Sequence, residues 1–291
     1  MNIEIPPPPP ALPTRWRRAF SELRALMADP TDTDRAIHFI YALGTREFER
    51  NFQRFAASRC GSALLAAQPS LLAALSDRNS LAGLPDGSLG RSYLAYLDDN
   101  GFAPDGLLKV QNRVQTYWED EEGIPPLDPL RAWFRDRSLL AHDLFHVLTD
   151  YGTDELGEAT LLAFSLAQLG GRGQALLTLG AALEVWRTIG WTWLVYDFRA
   201  WRRGRHSGWL VALPWEELMP LRLDTVRRIA NLAEAHEVHP GGVLRGSCQS
   251  PPRPEPQPME APLPAVPENQ SLRPLAPDER PSSRRMQRNR W

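Results

Sequence analysis

The sequence predicts an all-α fold in one domain, and three features carry that expectation. Apolar residues recur at three- and four-residue spacing in segment after segment. Glycine, proline and capping residues punctuate those segments. No stretch alternates apolar and polar side chains as a half-buried strand would, and no repeat of fixed period is present.

The helices follow in chain order. Thr33 is the expected cap of a segment in which Ile37, Ile40, Tyr41, Phe48, Phe52 and Phe55 share one face. Pro69 should kink or split the next apolar run, ALLAAQPSLLAALSD. After the turn-rich LPDGSLG, Leu89, Tyr93, Leu94 and Leu97 mark a helix that Gly101 should stop. Residues 103–130 hold Pro104, Gly106, Gly123, Pro125 and Pro126, so an irregular connection with no long element is expected there. A helix through Leu130, Phe134, Leu140, Leu144 and Leu148 should end at Gly152. Thr153 then caps another from about Asp154 to Leu169, and a long apolar helix runs from about Gln174 to Arg202. Pro220 separates two last short helices in PWEELMPLRLDTVRRIANLAEA.

Composition sets the boundaries. The first 14 residues include five consecutive prolines, which offer no backbone donors, so they read as an extended, disordered lead. Residues 246–291 are rich in proline, carry five arginines between Arg280 and Arg290, and read as a disordered tail. The helical domain is therefore residues 15–245. A net charge of −2 and a pI near 6.3 give no overall attraction to nucleic acid, and none is expected as a partner. Cys60 and Cys248 form no disulfide framework, which fits a reducing compartment. No secretory signal pattern opens the chain. The apolar run from Ala175 to Tyr196 has nearly spanning length, yet Glu184 and Arg187 at its middle argue for a buried or interface-facing helix.

One stretch carries chemistry. In LLAHDLFHVLTDYGTDELGEATLL, His142, Asp143 and His146 fall on one helical arc, and antiparallel packing of the following helix returns Glu158 toward it. Two imidazoles and two carboxylates suit zinc, iron(II) or manganese better than calcium. By spacing alone the same residues are equally well read as boundary histidines with Asp143 and Glu158 serving helix ends, and Glu155 reaches the same neighbourhood. His236, Glu237 and His239 form a weaker second candidate that lacks the i,i+4 spacing. Arg135 and Arg137, near the motif, keep a phosphate-ester hydrolase in view. The aromatic residues Trp186, Trp191, Trp193, Tyr196 and Trp201 are either core or the lining of an apolar groove. Arg202, Arg203 and Arg205 after them read as a solvated helix end or as contacts to lipid phosphates.

HDLFH, eleven residues and then Glu158, together with PDGSLGRSYLAYL from Pro85 to Leu97, resemble the Coq-four family of ubiquinone (coenzyme Q) biosynthesis proteins over about residues 33–235. The resemblance implies a helical fold and a divalent metal, zinc by preference with iron or manganese as alternatives. It implies His142, Asp143, His146 and Glu158 as the ligands and catalytic residues. The implied activity is a carboxy-lyase-type oxidative decarboxylation, loss of the ring carboxylate from a polyprenylated 4-hydroxybenzoate with hydroxylation at that carbon. The implied alternative is a non-catalytic, prenyl-lipid-binding organiser of the ubiquinone-biosynthesis complex. Expected partners are the polyprenylated benzoate or quinone precursor, other ubiquinone-biosynthesis proteins, a membrane surface bound peripherally, and a further copy of the chain. The expected location is the cytoplasmic face of the inner membrane, or the matrix side of the mitochondrial inner membrane in a eukaryote. The segment TDYGTDELG departs from the turn carried by mitochondrial relatives.

Overall fold

A computed structural model describes residues 4–29 and 32–246, all within one compact unit. The expected tail lies outside the described residues apart from Gly246, as do Cys248 and the arginines from Arg280 to Arg290. The helices are α1 (Trp16–Ala28), α2 (Thr33–Leu43), α3 (Arg46–Ala57), α4 (Arg59–Ala67), α5 (Leu71–Ser76), α6 (Arg78–Ala82), α7 (Leu89–Asn100) and α8 (Gly106–Glu122). They continue with α9 (Pro129–Thr149), α10 (Glu155–Leu169), α11 (Arg172–Ile189), α12 (Trp191–His206), α13 (Trp215–Leu218), α14 (Leu223–Ile229) and α15 (Ala235–Val238). Among the described residues there is no strand, only an isolated bridge between Ser88 and Arg222.

Several boundaries differ from the sequence expectation, each for a local reason. The segment after Thr33 breaks at Gly44, whose φ of 101° suits glycine and whose missing Cβ leaves room for the Leu12 carbonyl. Its cap is Asp32, which accepts from the Arg35 N–H, so Thr33 is the first helical residue. The expected irregular connection contains the 17-residue α8. Its glycines and prolines sit at or beyond its ends, while Leu108, Gln111, Val114 and Trp118 give it a buried stripe. Asp154, not Thr153, caps α10 by accepting from Leu156 and Gly157. The long helix expected from Gln174 to Arg202 is α11 and α12, divided at Gly190 with φ 81°. Helix α1 has no counterpart in the sequence reading. Its Glu22 pairs with Arg35 at 2.9 Å, tying α1 to α2.

Part of the proline-rich lead is laid along this body. Ile5 packs against the main core, the Pro6 carbonyl accepts from Arg131, and the Leu12 N–H lies 3.4 Å from Thr45 Oγ1.

Helix α9 is the central strut. Asp128 caps it, accepting from Leu130 and Arg131, and Pro129 sits in its first turn, where a missing N–H costs nothing. Leu140, Leu144, Phe145 and Leu148 pack with Phe55, Phe164 and Trp215 into one cluster. Two fully buried arginines fasten the other face. Arg131 forks onto Glu49 at 2.7 Å and reaches Asp128 at 2.8 Å, and Arg137 forks onto Glu216 at 2.6 and 2.8 Å. Helix α9 therefore presents its remaining side, with His142 and His146, toward α7 and α10.

Candidate metal centre

The turn between α9 and α10 positions the motif. Asp150 ends α9 in the left-handed conformation, φ 69°, and its N–H bonds the His146 carbonyl at 2.9 Å. Cations hold the last carbonyls of this helix, which lack a partner within it: Arg203 donates to Thr149 O at 2.7 Å and Arg227 to Leu148 O at 2.8 Å. On the return, Gly157 lies directly against the backbone of Gly152, where a Cβ would come within 2.1 Å of the Gly152 oxygen. This contact closes the turn and brings Glu158, in the first turn of α10, against α9.

His142, His146 and Glu158 each offer one donor atom, all within 4.8 Å of one another. They are the one such group of His, Cys, Asp and Glu among the described residues. His146 is the floor of the site, its side chain only 1% exposed, while Glu158 is 45% and His142 38% exposed at the mouth. His146 Nδ1 lies 3.1 Å from the Tyr151 carbonyl, which can only accept, so the proton resides on Nδ1 and the Nε2 lone pair is free. Nε2 is buried and makes no hydrogen bond, although Glu158 Oε1 stands 3.3 Å away. A buried lone pair facing a carboxylate is an unstable pairing without an electrophile between them, so these residues fit a divalent cation.

Asp143, the fourth sequence candidate, is not in that group. Its carboxylate stands 3.5 Å from His142 Nδ1, at the side of the ring. Burial opposes charging of His142, yet the Asp143 contact together with Glu158 outweighs it and raises the imidazole pKa.

Two tyrosines from α7 complete the wall, and sequence reasoning placed one of them only in the core. Tyr96 stacks on His146 with ring centroids 5.7 Å apart, and Tyr93 stacks on Tyr96. Tyr93 is fully buried with no partner for its hydroxyl. Burial first, then the neighbouring Asp143, and for Tyr96 also Glu158, push both phenols well above the ordinary range, so both remain protonated donors. The i,i+3 spacing of the two tyrosines on the expected α7 was the available signal.

The remaining candidates are placed elsewhere. His236 and Glu237 are exposed and do not converge with His239, which is buried with Nε2 3.0 Å from the Tyr151 hydroxyl. His239 thus supports the turn that holds His146 and forms no second metal group. Arg137 is spent on Glu216, and Arg135 on Asp136 and Asn112, so neither is free to bind a phosphate ester at the motif. The aromatic run divides: Trp193 and Tyr196 are buried and Trp191 is 75% exposed.

Two imidazoles and one carboxylate leave coordination positions open, a donor set used both by hydrolytic zinc and by oxygen-using iron(II). Comparison with known proteins narrows the reading. The family model described as coenzyme Q (ubiquinone) biosynthesis protein Coq4 matches residues 17–236, which contain the whole site. Among curated proteins, the mitochondrial ubiquinone biosynthesis protein COQ4 homolog of Danio rerio is 29% identical over 178 residues, 60% of each chain. The Homo sapiens homolog is 33% identical over 110 residues, 38% of this chain and 37% of its own. The chain thus spans about three fifths of the length of its more extensively matched relatives. A crystal structure of a Nostoc punctiforme protein, provisionally named for ubiquinone biosynthesis, shares the fold with a TM-score of 0.55 and 20% identity, covering 75% of this chain and 98% of that one. Motif, fold and family match coincide, and the chain belongs to the Coq4 family of coenzyme Q (ubiquinone) biosynthesis proteins.

Proposed function

We propose that the chain acts in ubiquinone biosynthesis as a metal-dependent enzyme that replaces the ring carboxylate of a polyprenylated 4-hydroxybenzoate with a hydroxyl. The observation that carries this reading is the convergence of His142, His146 and Glu158 beside two neutral tyrosines, Tyr93 buried and Tyr96 half-buried. The ring–carboxylate bond breaks to release carbon dioxide and a ring–oxygen bond forms, a two-electron oxidation of the substrate. With dioxygen and water consumed and hydrogen peroxide released, the step balances.

The three donors would hold the cation, zinc, iron or manganese, which when bound polarises oxygen atoms of the substrate. Zinc has no redox chemistry of its own, so metal-based use of dioxygen requires iron or manganese. The protein's own contribution is positional. His146 stays fixed through Tyr151, and Asp143 orients the His142 ring. Tyr93 and Tyr96 donate hydrogen bonds to an anionic or phenolic oxygen without acquiring charge themselves.

A polyprenyl tail and a membrane surface need apolar area, and α11 and α12 expose Leu179, Leu183, Trp191, Val195 and Phe198. No helix among the described residues is long and apolar enough to cross a membrane. The same face favours the second reading, an organiser that holds the prenylated intermediate for other ubiquinone-biosynthesis proteins and uses its metal structurally. The deciding experiment is lipid mass spectrometry of cells whose only copy carries His142→Ala at normal abundance. Accumulation of a still-carboxylated prenylated ring with partner recruitment intact supports catalysis. Loss of recruitment with the ring chemistry unaffected supports the organiser.

A further inference from the structure

The last turns of α12 and the helices α14 and α15 enclose an open cleft of about 660 Å³. Arg199, Arg202, Arg203, Arg227 and Arg228 line it, opposed by Glu237 as its one acidic lining residue. Glu234 neutralises Arg227 at 2.9 Å. The other four arginines have no carboxylate within salt-bridge distance among the described residues. Arg203 is the most constrained. It is 4% exposed, donates to the Thr149 and Ala233 carbonyls at 2.7 and 2.9 Å, and leaves Nη2 buried with no partner.

Part of this charge has a simpler origin, since cations at the end of α12 complement the helix dipole, which accounts for Arg203 and His206. That explanation also covers Arg228, in the last turn of α14, but it does not extend to Arg199 and Arg202, which precede the last turn of α12. Gathering guanidinium groups on one concave wall raises their mutual repulsion, and the natural relief is an anion with several acceptor oxygens. The planar fork of arginine matches a phosphate in particular.

We propose that this cleft binds a phosphate group, borne either by a small soluble phosphate compound or by a phospholipid headgroup. Arg199, Arg202 and Arg228 meet the ligand from the exposed rim, and Arg203 supplies a donor from the buried wall. Because Arg203 also holds Thr149 O and Arg227 holds Leu148 O, the cleft backs onto the turn that carries the Tyr151 carbonyl. An occupant would brace that turn.

The test uses the full chain and two probes. Calorimetric titration with sodium pyrophosphate addresses the soluble source. Co-sedimentation with phosphatidylcholine vesicles, with and without phosphatidic acid, addresses the lipid source. The triple variant R199Q/R202Q/R228Q changes only exposed side chains, so its near-ultraviolet circular dichroism should match that of the parent. The expected result is binding in at least one arm, weakened at least about tenfold in the triple variant, as the loss of several charge-assisted hydrogen bonds requires. Saturable pyrophosphate binding identifies a soluble phosphate ligand, and selective capture by phosphatidic acid vesicles identifies a headgroup. Absence of binding in both arms, or equal binding by parent and triple variant, overturns the proposal.

Discussion

His146 Nδ1 lies 3.1 Å from the carbonyl oxygen of Tyr151, five residues further along the chain and beyond the end of the helix that carries the histidine. The contact fixes the tautomer of a buried ring and aims its second nitrogen at Glu158. Because the acceptor is a backbone atom, its position depends on the turn, and the turn depends on side chains far away in sequence: Arg203, Arg227 and His239. The candidate metal ligands are local in sequence, whereas the groups that hold them are not.

The turn should therefore be sensitive at Gly157. A Cβ there meets the Gly152 oxygen at 2.1 Å, and this neighbour is backbone. Gly157→Ala is expected to cost about 2 kcal/mol or more, in the range of overpacked sites, and to weaken metal binding by displacing Glu158. Gly101→Ala is the control. Its φ of 67° strains a side chain, but nothing lies within 4 Å, so it should cost about 1 kcal/mol and leave metal affinity unchanged. Urea unfolding and metal titration of both variants check this.

Buried ion pairs anchor the central helix. Removing Arg131 strands Glu49 and Asp128, and Arg131→Ala should cost about 3 kcal/mol. The double substitution Arg131→Met with Glu49→Leu should recover part of that loss, because only Asp128 is then left without its cation. Chemical denaturation measures both.

Half-buried Asp197 and buried His239 give opposite pH dependences. Burial raises the Asp197 pKa to about 7, so the folded chain keeps a proton that the unfolded chain releases near 3.8, and stability falls as pH rises between those values. Burial, with Arg203 and Arg199, lowers the His239 pKa to about 4 against an ordinary 6.5, so stability rises with pH across that interval. The two slopes largely cancel between pH 4 and 6.5. Asp197→Asn should expose a rise over that range, and His239→Phe should expose a fall, each amounting to roughly 2–3 kcal/mol. Unfolding free energies at pH 4.5, 5.5 and 6.5 reveal these slopes.

Much of the site was legible because it is local. An i,i+4 histidine pair and a glutamate one turn into the next helix depend only on helical period and on an antiparallel return. Ligand membership was less legible. Asp143 shares the helical arc with the histidines, but its carboxylate stands 3.5 Å from His142 Nδ1 and outside the group formed by His142, His146 and Glu158. Breaks at Gly44 and Gly190 were hidden because an isolated glycine is tolerated inside a helix, and only a close carbonyl or a positive φ makes it a boundary. Helix α8 was missed for the opposite reason. Flanking prolines and glycines marked its ends and were read as marks of its whole span. His239 and Tyr151 are 88 residues apart, and no spacing rule connects them.

The central claim is that His142, His146 and Glu158 form a metal centre. The most direct test is the elemental content of the full-length protein, purified without chelator, beside His146→Ala and Glu158→Gln variants shown by circular dichroism to be folded. One divalent transition-metal ion per chain in the parent, with at least about a hundredfold weaker retention in both variants, is the predicted result. A folded parent that binds no such ion when supplied with zinc, iron(II) or manganese, or variants that retain it as tightly as the parent, would contradict the claim.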